Sequence, residues 1–570
     1  MNNLFSLKKL LTKYNIDGYL VPKNDEYFQE TSEPDRLKEI TNFSGSAGIA
    51  IILKNANLLF VDGRYTLQAK LETKNFNIYE VPKVSVIEIL KKFRKRLNLG
   101  FDPKLFTKNS LERSFGDYCD LRPISENLTD LVCIRKNKVE SNLIYRLNQN
   151  IVGEESKNKI RRLLKVIKQK KVDNIFISAI ENVAWLLNIR CKKSNKFPIP
   201  ECQLILSKNG IIHFISDIKN YLNFKKLNLG KKIIFQEKKN FLNIIKNTPG
   251  KSFAIDPNTC SIYFEKIISA HFDVKYNNDP CYLMKSVKNN YEIKNMVLSH
   301  IYDGVAITKF LFWLKNSQEK KNEIYAEKFL EKIRRKENKY LCPSFNTISA
   351  CGPNGAIIHY RASQKTNRKF KKNDIYLCDS GGYYKYGTTD VTRTVCFGNP
   401  SLKIKELYTR VLKGHIAVAN SRIDKFSCGA DLDKKARYWL KKINLDYAHG
   451  TGHGVGFFSY VHEGPQSISK TNKIKLIPGM VLSNEPGYYK KNQYGIRLEN
   501  LIFVKMKNKK IFFENLTLAP FDADMIDFRL LNKNELNYLH NYHKTVLNKI
   551  GKKLNFKEKE WLVNLTNNFI

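Results

Sequence analysis

Short apolar runs dominate the first 140 positions of the chain. DGYLVP (17–22), AGIAIIL (47–53), ANLLFVDGRYTLQA (56–69) and NIYEVP (77–82) are rich in β-branched and aromatic residues, with turn formers between them. That pattern predicts strands. SVIEILKKFRKRL (85–97) instead repeats its apolar residues at helical spacing. A polar passage, IRKNKVESN (134–142), reads as a linker. The same style then recurs: a helix over 155–171, a strand at DNIFISA (173–179), a helix at ENVAWLLNIR (181–190), and strands at QLILS, GIIHFIS and KKIIFQE. Two successive α/β modules of about 140 residues each account for this economically.

Further along, Ile293, Met296, Val297, His300, Ile301 and Val305 keep helical spacing within 289–315, which marks the start of a third domain. Helices at 322–336, 404–421 and 430–443 surround a strand-rich region, and the last sixty residues hold a helix starting near Asn532. No internal repeat or low-complexity linker is apparent. The expected division is 1–140, 141–285, 286–510 and a C-terminal extension 511–570, within the three or four domains that 570 residues suggest.

Composition changes this picture little. Apolar content of 42% supports a folded protein, and no window approaches 18 apolar residues, so no transmembrane helix and no membrane partner are expected. The first residues carry lysines inside their apolar stretch and lack a cleavage site, so they do not read as a signal peptide; a cytoplasmic location follows as the expectation. Eleven cysteines, an odd number without a CxxC pair, read as reduced, mostly buried thiols. The net charge of +44 suggests an anionic partner. The lysines, however, are spread along the whole chain, and runs such as KKFRKR (91–96) and IRRLLKVIKQKK (160–171) read as solvated helix faces, so specific nucleic-acid binding is not expected.

The candidate chemistry lies in five short motifs: LCDSGG, TTDVTRT, HGTGHGVG, SNEPGYY and GIRLEN. They carry Asp379, Asp390, His453, Glu485 and Glu499. Four carboxylates and one imidazole form an oxygen-rich set that suits hard divalent ions, and two adjacent metals can share it if carboxylates bridge. The stretch 374–397 reads as a β-hairpin turning near Lys385–Gly387, which places Asp379 and Asp390 on one face. Plainer alternatives are an Asp that caps a turn or pairs with Arg393. Glu499 falls inside an apolar strand, IRLENLIFV, where an unpaired carboxylate is costly. Arg497 is placed to orient the ligands.

Taken together and in this order, the motifs are specific. The segment 286–510 resembles the pita-bread metallopeptidases, the family of methionine aminopeptidase, prolidase and aminopeptidase P. GPNGAIIHYRAS, DSGG, DVTRT, HGTGHGVGFFSYVHEGP, NEPGYY and GIRLEN are similar to the aminopeptidase P branch of that family. VPKNDEYFQE, ITNFSGSAGIAIIL and VDGRYTLQA resemble its first domain, ENVAWLLNIR its second, and the tail the extension of its three-domain cytosolic members. The resemblance implies a fold of two creatinase-like α/β domains followed by a pita-bread catalytic domain. It also implies release of the N-terminal residue from peptides with proline second, by a hydroxide bridging two divalent metals. By the same resemblance Asp379 chelates one metal, His453 and Glu485 the other, and Asp390 and Glu499 bridge.

The metal implied is Mn2+, and the assembly implied is a homodimer. Glu485 would also shuttle the proton, His449 or His359 would donate to the oxyanion, and His462 would contact substrate beyond the scissile bond. For His462 the alternative is an ordinary surface histidine beside Glu463. Three other readings compete. A prolidase has the same ligands but cuts only dipeptides. A methionine aminopeptidase needs no residues before 286. A non-enzymatic binding module on this fold would lack parts of the ligand set.

Overall fold

A computed structural model describes residues 3–29, 33–135, 143–192, 199–317, 321–424 and 427–569. The chain forms two compact units: one reaches Tyr282, and the other comprises Gln149–Gly153 together with the chain from Leu283 onward. Most of the expected linker (136–142) lies outside the described residues.

The first unit holds two six-stranded sheets of one topology. In spatial order the first is Asn77–Val81, Asn57–Asp62, Ile49–Leu53, Gly18–Pro22, Leu97–Phe101, Cys119–Pro123, and the second is Ile233–Glu237, Ile212–Ser216, Cys202–Ser207, Asn174–Ile177, Ser252–Ile255, Asp273–Tyr276. In each, the strand fourth in that order pairs antiparallel with the third, and the third antiparallel with the second; the other pairs are parallel. The fifth strand in that order is followed by an Asp-Pro step, Asp102-Pro103 or Asp256-Pro257. Thr107 and Ser261, five residues past each aspartate, form an antiparallel bridge. No internal repeat is apparent in the sequence, yet the two sheets share one strand order and one pairing pattern.

Three further expectations shift. The run 85–97 is helical only over Val86–Leu90, behind a Ser85–Glu88 capping box. KKFRKR is then an exposed turn and not a helix face, with Lys95 on Asp17 at 2.6 Å and Arg96 on Asp120 at 2.7 Å. The second half of 56–69 turns at Asp62, whose carboxylate accepts from Arg64 N at 3.0 Å, and continues as helix Thr66–Glu72. The helix read over 181–190 ends at Leu187, because Asn188 adopts the left-handed conformation (φ 55°) and strand Ile189–Lys192 follows.

In the second unit helix Asn290–Asn316 starts at Asn289, whose side chain and that of Glu292 make a capping box. Helices Glu323–Arg334, Leu402–Ala419 and Gly429–Lys441 lie close to their expected spans. Helix Lys533–Ile550 starts behind Asn532 as its cap. The expected hairpin is not continuous. Ile375–Ser380 pairs with Val391–Cys396 in one sheet, whereas Gly382–Tyr384 pairs with Gly387–Thr388 and Tyr340–Pro343 in another. The break falls at Gly381, where a Cβ would lie 2.0 Å from Thr389 O and 2.2 Å from Ser344 Oγ. Buried Arg334 holds it, donating to Gly381 O (3.3 Å), Ser380 Oγ (3.1 Å) and Asp303 (2.8 Å). A five-stranded sheet runs Glu463–Ile468, Gly452–Gly454, Val481–Asn484, Asn500–Lys507, Lys510–Asn515. Among the described residues no helix is long and apolar enough to cross a membrane. All eleven cysteines are free thiols, and ten of them are buried.

Candidate metal centre

Each of the five expected ligands sits in or beside a strand that fixes its backbone. Asp379 is opposite Thr392 in the Ile375–Ser380/Val391–Cys396 ladder. Asp390 precedes Val391, just past the break that Gly381 creates. His453 is the middle residue of Gly452–Gly454, a strand packed so tightly that a Cβ on Gly452 would lie 1.9 Å from Ser483 O. Glu485 follows Val481–Asn484, and its N–H donates to Thr451 O at 2.8 Å. Glu499 is not inside a strand as expected. It occupies the gap between Tyr494–Arg497 and Asn500–Lys507, with its N–H on Thr392 O at 3.1 Å. That gap turns its carboxylate towards Asp390.

The ligand atoms converge. One atom each from Asp390, His453 and Glu499 lies within 4.8 Å of the others. His453 Nε2 is 3.5 Å from Asp390 Oδ2 and 3.4 Å from Glu485 Oε1. His453 Nδ1 lies 2.9 Å from Gly454 O, which can only accept. The proton therefore belongs on Nδ1, leaving the Nε2 lone pair for a cation. Ser483 Oγ accepts from His453 N at 2.9 Å and donates to Glu485 Oε1 at 3.0 Å. Thr392 Oγ1 donates to Glu499 Oε2 at 2.8 Å.

Three carboxylate oxygens in the cluster, Asp379 Oδ1, Asp390 Oδ1 and Glu499 Oε1, are buried with no hydrogen-bond partner. Burial, followed by the neighbouring carboxylates, pushes Asp390 and Glu499 well above the usual carboxylate range. Burial also raises Glu485, against the pull of His453 and Arg497. Orphaned oxygens in a ring of like charges are costly without a cation. The donor set, oxygen with one imidazole nitrogen, fits divalent metals.

Arg497 performs the orienting role expected of it. Its Nη2 donates to Asp379 Oδ2 at 2.6 Å and to Ile358 O at 3.4 Å, and its Nη1 to Tyr489 OH at 2.7 Å. The alternative partner Arg393 does not serve Asp379 or Asp390. Its guanidinium donates to the carbonyls of Thr392, Glu499, Ala519 and Pro520.

The three histidines expected to meet substrate stand differently. His449 Nδ1 is 2.7 Å from Gly450 O, and its Nε2 is 2.9 Å from Tyr489 OH. Because Arg497 donates to that hydroxyl, the Tyr489 proton points at Nε2, so both ring nitrogens of His449 are engaged. His462 is exposed, and its ring centre lies 4.3 Å from that of His453. The neighbouring Glu463 turns inward to the buried Lys285 (3.6 Å) and Lys288. His359, half-buried, follows Ile358, whose carbonyl Arg497 holds. Tyr489, Thr392 and Ser483 also support the ligands, roles the sequence does not suggest although all three stand inside the quoted motifs.

Comparisons with known proteins agree with this arrangement. Residues 4–128 and 135–292 each match a family model for the Creatinase/Prolidase N-terminal domain. Residues 294–506 match metallopeptidase family M24, and residues 510–569 match the C-terminal region of that peptidase family. The chain is 34% identical to Xaa-Pro aminopeptidase 1 of Dictyostelium discoideum over 98% of its length and 95% of that protein. It is 31% identical to aminopeptidase P1 of Lotus japonicus over 99% of both. The crystal structure of an X-prolyl aminopeptidase from Caenorhabditis elegans, described as a cytosolic enzyme with a di-nuclear active site, superposes with a TM-score of 0.91 at 30% identity over 99% of both chains. A prolidase from Thermococcus sibiricus, 26% identical with a TM-score of 0.55, covers only 65% of this chain. The fold is thus the expected one: two creatinase-type α/β domains followed by a pita-bread domain.

Proposed function

The chain belongs to the Xaa-Pro aminopeptidases of metallopeptidase family M24, and on that premise we propose that it releases the N-terminal residue from peptides whose second residue is proline. The observation that carries this reading is the cluster of buried Asp379, Asp390 and Glu499 with half-buried His453 and Glu485, three of its carboxylate oxygens left without hydrogen-bond partners. These five residues would hold two divalent ions, Mn2+ by resemblance: Asp379 on one, His453 and Glu485 on the other, Asp390 and Glu499 shared. When bound, such ions would lower the pKa of water and so supply a nucleophile near neutral pH.

The chain's own residues do the rest. Arg497 fixes Asp379, Thr392 fixes Glu499 and Ser483 fixes Glu485, each by a hydrogen bond to the carboxylate. Glu485 would move the proton from the attacking water to the leaving nitrogen. His359 or His449 would donate to the oxyanion. His449 also lies 2.9 Å from Tyr489 OH through its Nε2, and exposed His462 would meet substrate beyond the scissile bond. Proline makes that bond a tertiary amide without an N–H, so recognition must rest on the shape of the ring.

Boundaries at 1–140, 141–285, 286–510 and 511–570, a cytoplasmic location and a homodimer complete the proposal. The family matches support the boundaries, and the cytosolic relative supports the location. The test compares Arg-Pro-Pro with Xaa-Pro dipeptides, using Mn2+-loaded protein. Release of arginine from Arg-Pro-Pro, with slow or no cleavage of the dipeptides, is expected. Cleavage of dipeptides alone would replace this reading with a prolidase.

A further inference from the structure

Glu323 is the first residue of helix Glu323–Arg334 and is fully buried. An acidic residue in a first helical turn ordinarily faces solvent and the helix dipole. This one faces inward and gathers the loop between strands Ile348–Cys351 and Ile375–Ser380. Its Oε1 accepts from Cys351 N (2.7 Å) and Asn354 Nδ2 (3.0 Å). Its Oε2 accepts from Tyr360 OH (2.8 Å), Arg368 N (2.9 Å) and Asn354 Nδ2 (3.1 Å). The main chain joins in: Glu323 N donates to Arg368 O at 3.2 Å, and Ser349 Oγ donates to Glu323 O at 2.7 Å.

These donors bracket the segment that carries His359. Asn354 O accepts from Ile357 N at 3.1 Å, and Ile357 O accepts from Tyr360 N at 3.0 Å. The chain from Asn354 to Tyr360 is thus pinned at both ends by one carboxylate, with Ile357, Ile358 and His359 between. The far side of the loop docks on strand Tyr494–Arg497. A Cβ on Gly495 would lie 1.9 Å from Gly355 O, and Ile358 O accepts from Arg497 Nη2. Charged acceptors make the stronger hydrogen bonds, and a hub with this many donors has little freedom to shift.

We propose that Glu323 is a positioning residue for catalysis: it sets the loop that presents His359 to the metal centre. This rests on the reading above that His359 contacts the substrate. Replacing Glu323 by Gln keeps the shape but turns one acceptor into a donor facing donors. The loop must then move, and a displacement of about 1 Å can cost up to ~100-fold in rate.

The experiment is a double-mutant cycle on the full-length Mn2+-loaded protein: wild type, Glu323→Gln, His359→Ala and the double variant. For each, kcat/KM on an Xaa-Pro-Yaa peptide, bound metal and melting temperature are measured. Glu323→Gln is expected to lower kcat/KM roughly tenfold with metal content unchanged. In the His359→Ala background the same change is expected to alter kcat/KM by less than about twofold, since both act through one group. A full tenfold loss in that background, or wild-type activity of Glu323→Gln, overturns the inference. Full activity of His359→Ala overturns the reading of His359 itself, and Glu323's role with it. If Glu323→Gln does not fold, Tyr360→Phe removes one of the same hydrogen bonds. It enters the same cycle with an expected loss of about threefold.

Discussion

Asp102 and Asp256 in the first unit and Asp390 in the second are each 4% exposed, so burial does not distinguish them. Their surroundings do. Asp102 accepts from Lys104 N at 2.9 Å and Asn127 Nδ2 at 2.8 Å, and Asp256 accepts from Asn258 N at 2.9 Å and Asp279 N at 2.7 Å. Asp279, fully buried and pushed up to about 6 by that burial, is still held by Asn182 Nδ2 and Cys281 N. These carboxylates tie loops together at matching points of two similar sheets. Asp390 instead meets Asp379, Glu485 and Glu499, and keeps one oxygen without a partner. What marks the metal centre is several carboxylates drawn together, with Asp379, Asp390 and Glu499 each keeping one oxygen without a donor; Asp102 and Asp256 supply the contrast within the same molecule.

The sharpest way to break this comparison is to remove a ligand. His453→Ala or Asp390→Ala is expected to abolish hydrolysis, by at least about 1,000-fold, while the protein stays folded by circular dichroism. Near-full activity in either variant would contradict the two-metal assignment.

A smaller effect of opposite sign in the two regions sharpens it. In the metal-stripped protein, Asp390→Asn is expected to raise the melting temperature at neutral pH. The folded-state pKa of Asp390 lies well above its ordinary value, so stability is lost progressively as pH rises from the ordinary carboxylate range through that raised value. As pH falls towards the ordinary carboxylate range, wild-type Asp390 becomes protonated and the gain disappears. With Mn2+ present the same variant is the less stable protein, because a ligand is lost. Asp256→Ala, by contrast, leaves donors unsatisfied and is expected to cost about 1–3 kcal/mol with or without metal. A calorimetric pH series on the stripped and loaded forms reads all three signs; stabilisation by Asp256→Ala would dissolve the distinction between the units.

The ligands were legible because each is an acid or imidazole set among strand-forming or glycine neighbours, where such residues are disfavoured without a purpose. Asp379 in IYLCDS and Glu485 before Pro486 are of this kind. The break at Gly381 was not legible, because the partner that draws Gly382–Tyr384 into a second sheet is Tyr340–Pro343, far upstream. Nor was the gap that frees Glu499, since LENLIFV reads as unbroken strand and only the pairing partners end it. Glu323 was invisible for another reason: EIYAEKFLEK is an ordinary helix start, and nothing local says that its first acid turns inward. The two sheets of the first unit share the Asp-Pro steps and the Thr107/Ser261 spacing, too short a signal to reveal a common topology.

The central claim is that the donor-poor carboxylate cluster is a two-metal peptidase site. It is tested most directly by stripping the protein with EDTA and titrating Mn2+ while following release of the N-terminal residue from an Xaa-Pro-Yaa peptide and the metal bound per chain. No release is expected from the stripped protein, with recovery that saturates at about two ions per chain. Undiminished release in EDTA, or no stoichiometric Mn2+ uptake, would contradict it.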